Sequence, residues 1–575
     1  VDCDVEEPNG HIFLAPAVYQ RQEVSVPVPE VDIQHCTRCG DCARVCRYSA
    51  IVALPNCVLT FPKLCHGCGG CTLACLPRAI REVPRGIGVV EKGVAGRIAF
   101  VGGRLNVGEA MAPPVIRAVL QAAPRSGTVL FDAPPGTSCP VVESVKTADV
   151  VLLVTEPTPF GLHDLALAVA MVRELGLPLG VAVNRVGIGD AAVFDFCERE
   201  AIPVLLEIPD DREIARAYSS GRLAVAARPD LVPSFLRLHE RLNALADAPR
   251  FVVRATAPPP TSVPQGAPPS PEMFQVRTRP DAPELVVISG KGGTGKTSIV
   301  ASFFALSGGA AVADCDVDAA DLHLVLDPAV VRRAPFSGGS KAVIDKDRCT
   351  GCGVCEDVCR FEAIRRRPGP SSFASYEVVP LSCEGCGVCV DHCPAGAISL
   401  VGSPGGEWFV SQTRSGPMVH ARLGVAQENS GKLVTLVRRE AEAATSTAGR
   451  GLLITDGSPG IGCPVIASVT GASLALIVTE PTLSGLHDLR RVAGLCRQLQ
   501  VPAAICVNKA DINPEIAARI DAEAAVRGIP VLGHVRYDES VTRAQVRRRA
   551  VVEDADGPAA RDIRGLWDRV VDHIG

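Results

Sequence analysis

The chain contains a long internal repeat, which constrains its fold more than any other feature of its 575 residues. VDCDVEEPNGHIFLAP at 1–16 matches ADCDVDAADLHLVLDP at 313–328, and VTEPTPFGLHDL from Val154 matches VTEPTLSGLHDL from Val478. Between these segments, FDAPPGTSCPVVESV in the first copy matches TDGSPGIGCPVIASV in the second. The repeat predicts two similar α/β domains, each built as a doubly wound sheet.

The two copies begin differently. The second opens with ELVVISGKGGTGKTSIVASFFALSGGAAVADCDVD, which predicts a strand, a glycine loop, a helix and a second strand. The first begins where that second strand would end, and its residue 1 is Val rather than Met. A sheet without its central strand would expose an edge, so we expect this sequence to be a fragment. The alternative is a domain that has lost its glycine loop.

A proline-rich stretch separates the copies and predicts an extended linker, with an ordered arm packed on a domain as the alternative. A cysteine-rich insert interrupts each copy. The predicted organisation is a first α/β domain at 1–30 and 86–254 with an insert at 31–85, a linker at 255–283, and a second α/β domain at 284–340 and 401–575 with an insert at 341–400.

Each insert carries two cysteine quartets with the spacing C-x2-C-x2-C-x3-C. They are Cys36, Cys39, Cys42 and Cys46, then Cys65, Cys68, Cys71 and Cys75, and in the second insert Cys349, Cys352, Cys355 and Cys359, then Cys383, Cys386, Cys389 and Cys393. This is the spacing of two-cluster bacterial ferredoxins. Structural zinc, the alternative, favours cysteines in pairs. The inserts therefore predict α+β ferredoxin domains that hold four [4Fe–4S] clusters.

In such ferredoxins the fourth cysteine of a quartet ligates the neighbouring cluster. The predicted cluster sites are Cys36, Cys39, Cys42 and Cys75; Cys65, Cys68, Cys71 and Cys46; Cys349, Cys352, Cys355 and Cys393; and Cys383, Cys386, Cys389 and Cys359. Glycines in the loops let backbone amides approach the cluster sulfurs. Cys393 precedes the proline that is typical of ferredoxins, whereas Cys46 and Cys359 precede arginine.

A second motif predicts phosphate binding. GKGGTGKT fits G-x-x-x-x-G-K-[ST] and lies between the apolar strand LVVIS and a helical run, which is the context that the motif requires. The predicted phosphate-binding residues are Gly290, Gly292, Gly293, Thr294, Gly295, Lys296 and Thr297. Glycines allow successive N–H groups to face an anion at a helix N-terminus. Lys296 is predicted to hold the β- and γ-phosphates, and Thr297 to ligate Mg²⁺.

With Lys291 near its start, KGGTGKT resembles the deviant phosphate loop of the MinD/ParA family, which includes the nitrogenase iron protein and Mrp-type iron–sulfur carriers. The resemblance covers both copies outside the inserts and the linker. It implies ATP as the ligand, a catalytic role for Lys296, and a nucleotide-sandwich dimer in which Lys291 reaches the partner's phosphates. It also implies first-switch carboxylates at Asp314 and Asp316, the second of which helps to orient water.

The same resemblance implies that Asp456, at the end of the strand GLLIT, is the Walker B carboxylate and that Gly460 lies in the second switch. It further implies that Asn508 contacts the base. NKAD from Asn508 also fits the guanine-reading NKxD, but the first copy has NRVG from Asn184 and lacks the carboxylate. We therefore expect adenine.

The first copy retains Asp2, Asp4, Asp132, Gly136 and Asn184 at matching positions. It has no phosphate-loop lysine, so it is not predicted to hold a triphosphate.

Two further pairs recur. Cys139 and Cys463 each follow the Walker B aspartate by seven residues, and the nitrogenase iron protein has a cluster ligand at the corresponding spacing. They are interpreted either as a nucleotide-gated metal site between the halves or as small buried hydrophobes at a turn. The His-Asp pairs at 163–164 and 487–488 are expected at the start of a helix, where an acid complements the helix dipole, with a switch-facing role as the alternative.

A net charge of -5 gives no basis for binding nucleic acid or an anionic membrane. No apolar run approaches the roughly 18 residues of a membrane span, so we expect a cytoplasmic protein. The motifs predict a protein that couples ATP hydrolysis to electron or iron–sulfur cluster transfer to a redox or cluster-acceptor protein, as an intrachain pseudo-dimer or a homodimer. One alternative is a polyferredoxin electron carrier that uses nucleotide for assembly. Another is a ParA/MinD-type positioning ATPase with redox-sensing clusters.

Overall fold

The computed structural model describes residues 1–247, 282–367, 374–424, 430–448 and 451–574. The predicted linker lies outside the described residues up to residue 281. In the described ranges no helix has both the length and the apolar character needed to cross a membrane.

The first half, residues 1–247, contains both a long antiparallel strand pair and a parallel sheet. Its strands are β1 (Ala17–Val31), β2 (Ile51–Ala53), β3 (Val58–Thr60), β4 (Ile80–Ala95), β5 (Ile98–Leu105), β6 (Val151–Thr155), β7 (Leu179–Val186) and β8 (Val204–Pro209). Its helices are α1 (Gly10–Leu14), α2 (Asp41–Val45), α3 (Gly70–Leu73), α4 (Pro113–Ala122), α5 (Cys139–Val145), α6 (Pro159–Glu174), α7 (Ala192–Arg199), α8 (Arg212–Ser219), α9 (Ala224–Ala227) and α10 (Val232–Ala246), with 3₁₀ turns at Pro62–Leu64 and Pro229–Leu231.

The second half follows a similar order, with two strands and a helix before it and one further strand later in the chain. Its strands are β9 (Glu284–Ser289), β10 (Ala311–Asp314), β11 (Ala329–Ile344), β12 (Ile364–Arg367), β13 (Ser375–Val378), β14 (Ile398–Gln412), β15 (Pro417–Leu423), β16 (Leu453–Pro459), β17 (Leu474–Thr479), β18 (Ala503–Asn508) and β19 (Val531–Val535). Its helices are α11 (Lys296–Leu306), α12 (Leu322–Leu326), α13 (Val354–Asp357), α14 (Val388–Asp391), α15 (Ser430–Ala448), α16 (Cys463–Val469), α17 (Leu483–Gln498), α18 (Pro514–Arg527), α19 (Ser540–Val546), α20 (Val551–Asp554) and α21 (Pro558–Ile574), with a 3₁₀ turn at Pro380–Ser382.

Nine strands of the second half form one sheet, in the order β11-β14-β15-β10-β16-β9-β17-β18-β19. From β15 to β19 all neighbours are parallel, and β14 is antiparallel to both of its neighbours. β9 and β17 are buried along their whole length because α11 and α21 pack on one face while α16, α17 and α18 pack on the other. Parallel strands covered on both faces are continuous apolar runs, as LVVIS is. The second half is therefore a doubly wound α/β fold.

The strands of the first half do not form one sheet, which corrects the prediction of a second doubly wound domain. β1, β4 and β5 form an antiparallel sheet, and β6, β7 and β8 form a separate parallel sheet. Asp2 bridges to Asp132 and Gly102 beside the first of these. Within residues 1–247 no strand occupies the position that β9 has in the second half, so no hydrogen-bond ladder joins the two sheets. Leu130 and Val154, which are 73% and 65% exposed, line the resulting gap.

A long antiparallel strand pair carries each cysteine-rich unit. β1 pairs with β4 over its length, and β11 pairs with β14 in the same way. The unit at the end of each pair has a two-stranded sheet, β2-β3 or β12-β13, and two short helices. The chain enters and leaves each unit through neighbouring strands, so the unit is attached to the edge of the main fold by two strands.

Candidate nucleotide and cluster sites

The glycine loop connects β9, which ends at Ser289, to α11, which begins at Lys296. Gly293 and Gly295 have φ angles of 79° and 87°, in the left-handed region that favours glycine. At Gly295 a Cβ atom would also lie 2.3 Å from Nδ2 of Asn508. The turn therefore requires glycine at residue 295, and it places the start of α11 on the wall of a large cavity between the halves.

Lys296 is 6% exposed and faces two carboxylates. Its Nζ donates to Oδ1 of Asp456 at 2.6 Å and lies 3.6 Å from Oδ2 of Asp316. The three residues meet because β9, β10 and β16 are parallel and end at the same edge of the sheet. Burial opposes the charge on Lys296, but the carboxylates of Asp456 and Asp316 outweigh it and raise the pKa of the ammonium. A bound phosphate would compete with these acids for the lysine.

Several buried oxygen atoms near this lysine lack a hydrogen-bond partner within the described ranges. They are Asp456 Oδ2, Thr294 Oγ1 and Asp318 Oδ1. Burial raises the pKa of both Asp316 and Asp318 to about 7. Thr297, the second residue of α11, lines the same cavity. Mg²⁺ prefers oxygen ligands, and its charge would offset the cost of burying these acids, so the donor set fits a magnesium–nucleotide complex.

The predicted base-contacting residue lies against the loop. Asn508 ends β18, and its side-chain amide donates to the carbonyl of Thr294 at 2.7 Å. Asp511, the carboxylate of the guanine alternative, accepts from the backbone N–H of Tyr537 at 2.7 Å and from Arg212 at 2.8 Å. Both of its carboxylate oxygens have partners, which makes it poorly suited to read the N–H groups of guanine.

The first half covers the glycine loop of the second. Nζ of Lys291 donates to Oη of Tyr218 at 2.5 Å and to Oγ of Ser484 at 2.9 Å, and it lies 4.9 Å from the Tyr218 ring centroid. Nearby, Arg185 donates to Oη of Tyr537 at 2.9 Å. The resemblance implies that Lys291 acts across a dimer interface. In this structure Lys291 contacts the other half of its own chain.

The predicted second switch also contacts the first half. Gly460 has a φ of 93°, and a Cβ atom there would lie 3.0 Å from Oε2 of Glu6. Sγ of Cys463 donates to the carbonyl of Ala110 at 3.4 Å, and burial raises the pKa of this thiol to about 11. Cys139 lines the same cavity. Cys463 thus contributes directly to the contact between the halves.

The recurring His-Asp pairs lie in the second turn of α6 and α17 rather than at their starts, because a threonine caps each helix. Each pair faces the segment after the first-switch aspartates of the other half. Nδ1 of His163 lies 3.1 Å from Oδ1 of Asp321, and the His487 ring lies 5.4 Å from that of His11. The contacts agree with the alternative of a switch-facing role, which the recurrence of the pair indicates; the sequence does not show that each pair faces the other half.

The cysteines of each predicted crossed set lie together. Burial raises the pKa of Cys42, and the neighbouring Cys36, Cys39 and Cys75 raise it further. The remaining sets lie together in the same way: Cys46, Cys65, Cys68 and Cys71; Cys349, Cys352, Cys355 and Cys393; and Cys359, Cys383, Cys386 and Cys389.

Backbone N–H groups also face the cysteine sulfurs. Ala79 donates to Sγ of Cys75 at 3.2 Å, and Ala397 donates to Sγ of Cys393 at 3.3 Å in the matching position of the second unit. Hydrogen bonds of this kind orient and tune the thiolates of iron–sulfur sites. The sulfur sets and their N–H donors fit [4Fe–4S] clusters.

Two family models match the chain. Residues 285–551 match the CobQ/CobB/MinD/ParA nucleotide-binding domain, and residues 62–78 match a 4Fe–4S binding domain. Among solved structures, the cell division ATPase MinD of Pyrococcus furiosus is 17% identical, with a TM-score of 0.32, over 51% of this chain and 99% of its own. The septum site-determining protein MinD of Pyrococcus horikoshii, complexed with Mg-ADP, is 16% identical, with a TM-score of 0.33, over 51% of this chain and 97% of its own.

Two relatives come from Methanocaldococcus jannaschii. The uncharacterized protein MJ0579 is 25% identical over 257 residues, which cover 44% of this chain and 86% of the relative. The uncharacterized protein MJ0578 is 33% identical over 237 residues, which cover 40% of this chain and 79% of the relative. The chain therefore belongs to the family of MJ0578, and its second half carries a nucleotide-binding domain of the CobQ/CobB/MinD/ParA type.

Proposed function

We propose that this protein is a magnesium-dependent ATPase that couples hydrolysis to the transfer of an electron or an iron–sulfur cluster to an acceptor protein. One observation carries the proposal. The glycine loop that holds Lys296 against Asp456 also holds Lys291 against Tyr218 of the first half. A change of charge at the phosphate site therefore acts on the contact between the halves.

In this proposal the loop N–H groups and Lys296 would hold the β- and γ-phosphates, and Thr297 and Asp456 would hold a magnesium ion, whose charge would stabilise the phosphate oxygens. Asn508 lies beside the base. Asp316 positions the water that attacks the γ-phosphorus as the bond to the ADP oxygen breaks. Because burial raises the pKa of Asp316 to about 7, this carboxylate is suited to accept a proton from that water at neutral pH.

The coupling is supported by how the chain runs from the switch to the cluster units. The segment after Asp316 leads into α12, and β11, which carries the second unit, begins at Ala329. In the first half α1 leads into β1 in the same order. A switch segment that moves on phosphate release would therefore displace the strand that carries a cysteine-rich unit. The bound clusters would supply one-electron chemistry.

The test uses the full chain, reconstituted anaerobically with iron and sulfide. We expect ATP hydrolysis to depend on the redox state of the clusters, and Mg-ATP to change their reduction potentials or their reoxidation by an acceptor such as methyl viologen. Lys296→Ala should abolish both effects. Arg439→Ala, on the exposed face of α15 in the same half, should preserve them.

Two results would contradict the coupling. Potentials and reoxidation rates that are the same with and without nucleotide would favour the polyferredoxin alternative. Binding to DNA or lipid vesicles that requires ATP would favour the positioning ATPase.

A further inference from the structure

The two cysteine-rich units touch each other, and the contact joins one predicted cluster ligand from each. Cys68 and Cys386 are the second cysteines of the matching quartets in the two units, and their side chains lie against each other. The backbone beside them is also closely packed, because a Cβ atom at Gly70 would lie 3.0 Å from Val388. The second quartet of one unit therefore packs directly against the second quartet of the other.

An arginine from each unit crosses the contact. Arg360 donates to the carbonyl of Gly67 at 3.1 Å, and a Cβ atom at Gly69 would lie 2.5 Å from its guanidinium carbon. Reciprocally, Nε of Arg47 lies 3.3 Å from the Cβ position of Gly387. These arginines follow the fourth cysteine of a quartet, where ferredoxins typically have proline. The departure from the ferredoxin pattern thus corresponds to a pair of related contacts between the units.

An aromatic pair fixes the same contact. The rings of Tyr48 and His66 stack with their centroids 3.8 Å apart. Oη of Tyr48 donates to the carbonyl of Glu384 at 2.9 Å, and Nδ1 of His66 lies 3.4 Å from the Glu384 carboxylate. Tyr48 and His66 therefore hold the first unit to the loop that carries Glu384 and Cys386.

We propose that this contact is an electron-transfer junction, which joins the cluster sites of the two halves into one path through the chain. The proposal rests on the part of the proposed function that assigns [4Fe–4S] clusters to these cysteines. One electron crosses the contact between Cys68 and Cys386, so that the site that gives it is oxidised and the site that receives it is reduced. No covalent bond forms or breaks, and no proton is transferred. Dithionite, or a reduced protein of low potential, supplies the electron.

Distance favours this path. Electron tunnelling weakens steeply with distance, so two adjoining ligands provide a much better route than any path through the α/β domains. Arg47 and Arg360 act as positioning residues, because they hold the units together without belonging to a predicted ligand set.

The experiment measures spin–spin coupling by electron paramagnetic resonance in the dithionite-reduced, reconstituted full chain. Cys39→Ser and Cys352→Ser remove the outer sites, so that coupling between the remaining sites arises across the junction. We expect coupled spectra in this background. Arg47→Ala with Arg360→Ala should reduce the coupling several-fold without loss of iron. Arg360→Lys should retain part of it, and the exposed Arg366→Ala in the same unit should have no effect.

The outcomes separate this inference from the proposed function. Full iron content with uncoupled spectra would overturn the junction alone, as would coupling that persists unchanged in the double arginine variant. Coupled spectra that nucleotide leaves unaltered would support the junction while contradicting ATP coupling. Zinc in place of iron would overturn both.

Discussion

Several acidic side chains near the start of the chain are buried, where little water is available to stabilise their charge. Burial raises the pKa of Asp2 and Asp4 to about 7, and it raises that of Glu7 well above its ordinary value. The folded protein therefore binds protons that the unfolded chain has already released between about pH 4 and pH 7. Stability from these groups is present in acid and is lost as the pH rises through their folded-state pKa values.

Glu7 offers the clearest test of this pH dependence. It is 3% exposed, both of its carboxylate oxygens lack a hydrogen-bond partner among the described residues, and Asp488 raises its pKa further. Glu7→Gln removes the charge at nearly constant shape, so we expect it to raise the free energy of unfolding by ~1 kcal/mol at pH 8 and by much less at pH 5.5. Thermal denaturation at the two pH values measures this.

The control for Glu7→Gln is Glu198→Gln on α7, since Glu198 is exposed. It should change stability little at either pH. A loss of stability in Glu7→Gln at pH 8 would contradict the prediction and would mean that the ion pair with Arg491, at 3.8 Å, outweighs the cost of burying the charge.

Two glycines of the phosphate loop differ in what a methyl group would meet. Gly295 has a φ of 87°, and its Cβ would lie 2.3 Å from Nδ2 of Asn508, whereas the Cβ of Gly292 would meet nothing within 4 Å. Gly295→Ala should therefore cost about 1–3 kcal/mol of unfolding free energy, and Gly292→Ala little. Urea denaturation of the two variants, compared with the unaltered chain, provides the measurement. Equal losses of stability would show that backbone geometry at residue 295 is not the cause.

Among the elements, those specified by local sequence could be predicted and those that depend on distant contacts could not. The strand LVVIS, the glycine loop and α11 follow one another in the chain, so their pattern alone indicates them. The division of the first half into two sheets follows from the missing central strand, which the sequence indicates, and it differs from the expected doubly wound sheet. The crossed sets of cysteines follow from known spacing. The contact of Cys68 with Cys386 does not, because it joins residues of different units.

One buried ion pair attaches α15 to the central strand β9. Arg438 donates to Glu284 at 2.5 Å, the two side chains are 7% and 1% exposed, and Thr455 donates to the same carboxylate at 2.7 Å. Arg438→Ala would leave Glu284 buried without its cation, so it should cost ~3–5 kcal/mol of unfolding free energy. The adjacent Arg439 is exposed, and Arg439→Ala should change stability by less than ~0.5 kcal/mol. Chemical denaturation that gave both variants the same stability would contradict this assignment.

Among the contacts that join the halves in the described part of the chain, two bear on the proposed coupling. One covers the glycine loop through Tyr218 and Lys291, and the other joins the cysteine-rich units through Arg360 and Gly67. In the proposed function, strands connect each cysteine-rich unit to its own predicted switch segment, so a displacement at one contact would be transmitted to the other. Nucleotide would then act on the cysteine-rich units without contacting them.

Hydrogen exchange tests whether the nucleotide acts on the first half. Helix α8 contacts the second half at both of its ends. Arg212 donates to Asp511, and Tyr218 accepts from Lys291 of the glycine loop. A nonhydrolysable ATP analogue with Mg²⁺ should therefore slow amide exchange in α8 several-fold, since bound phosphate fixes the loop on which it rests. Mass spectrometry of peptic fragments provides the measurement, with α7 as the internal control because it lies away from the cavity. Lys296→Ala should abolish the effect. Slower exchange confined to the glycine loop and the Asn508 segment would mean that the first half does not sense the nucleotide.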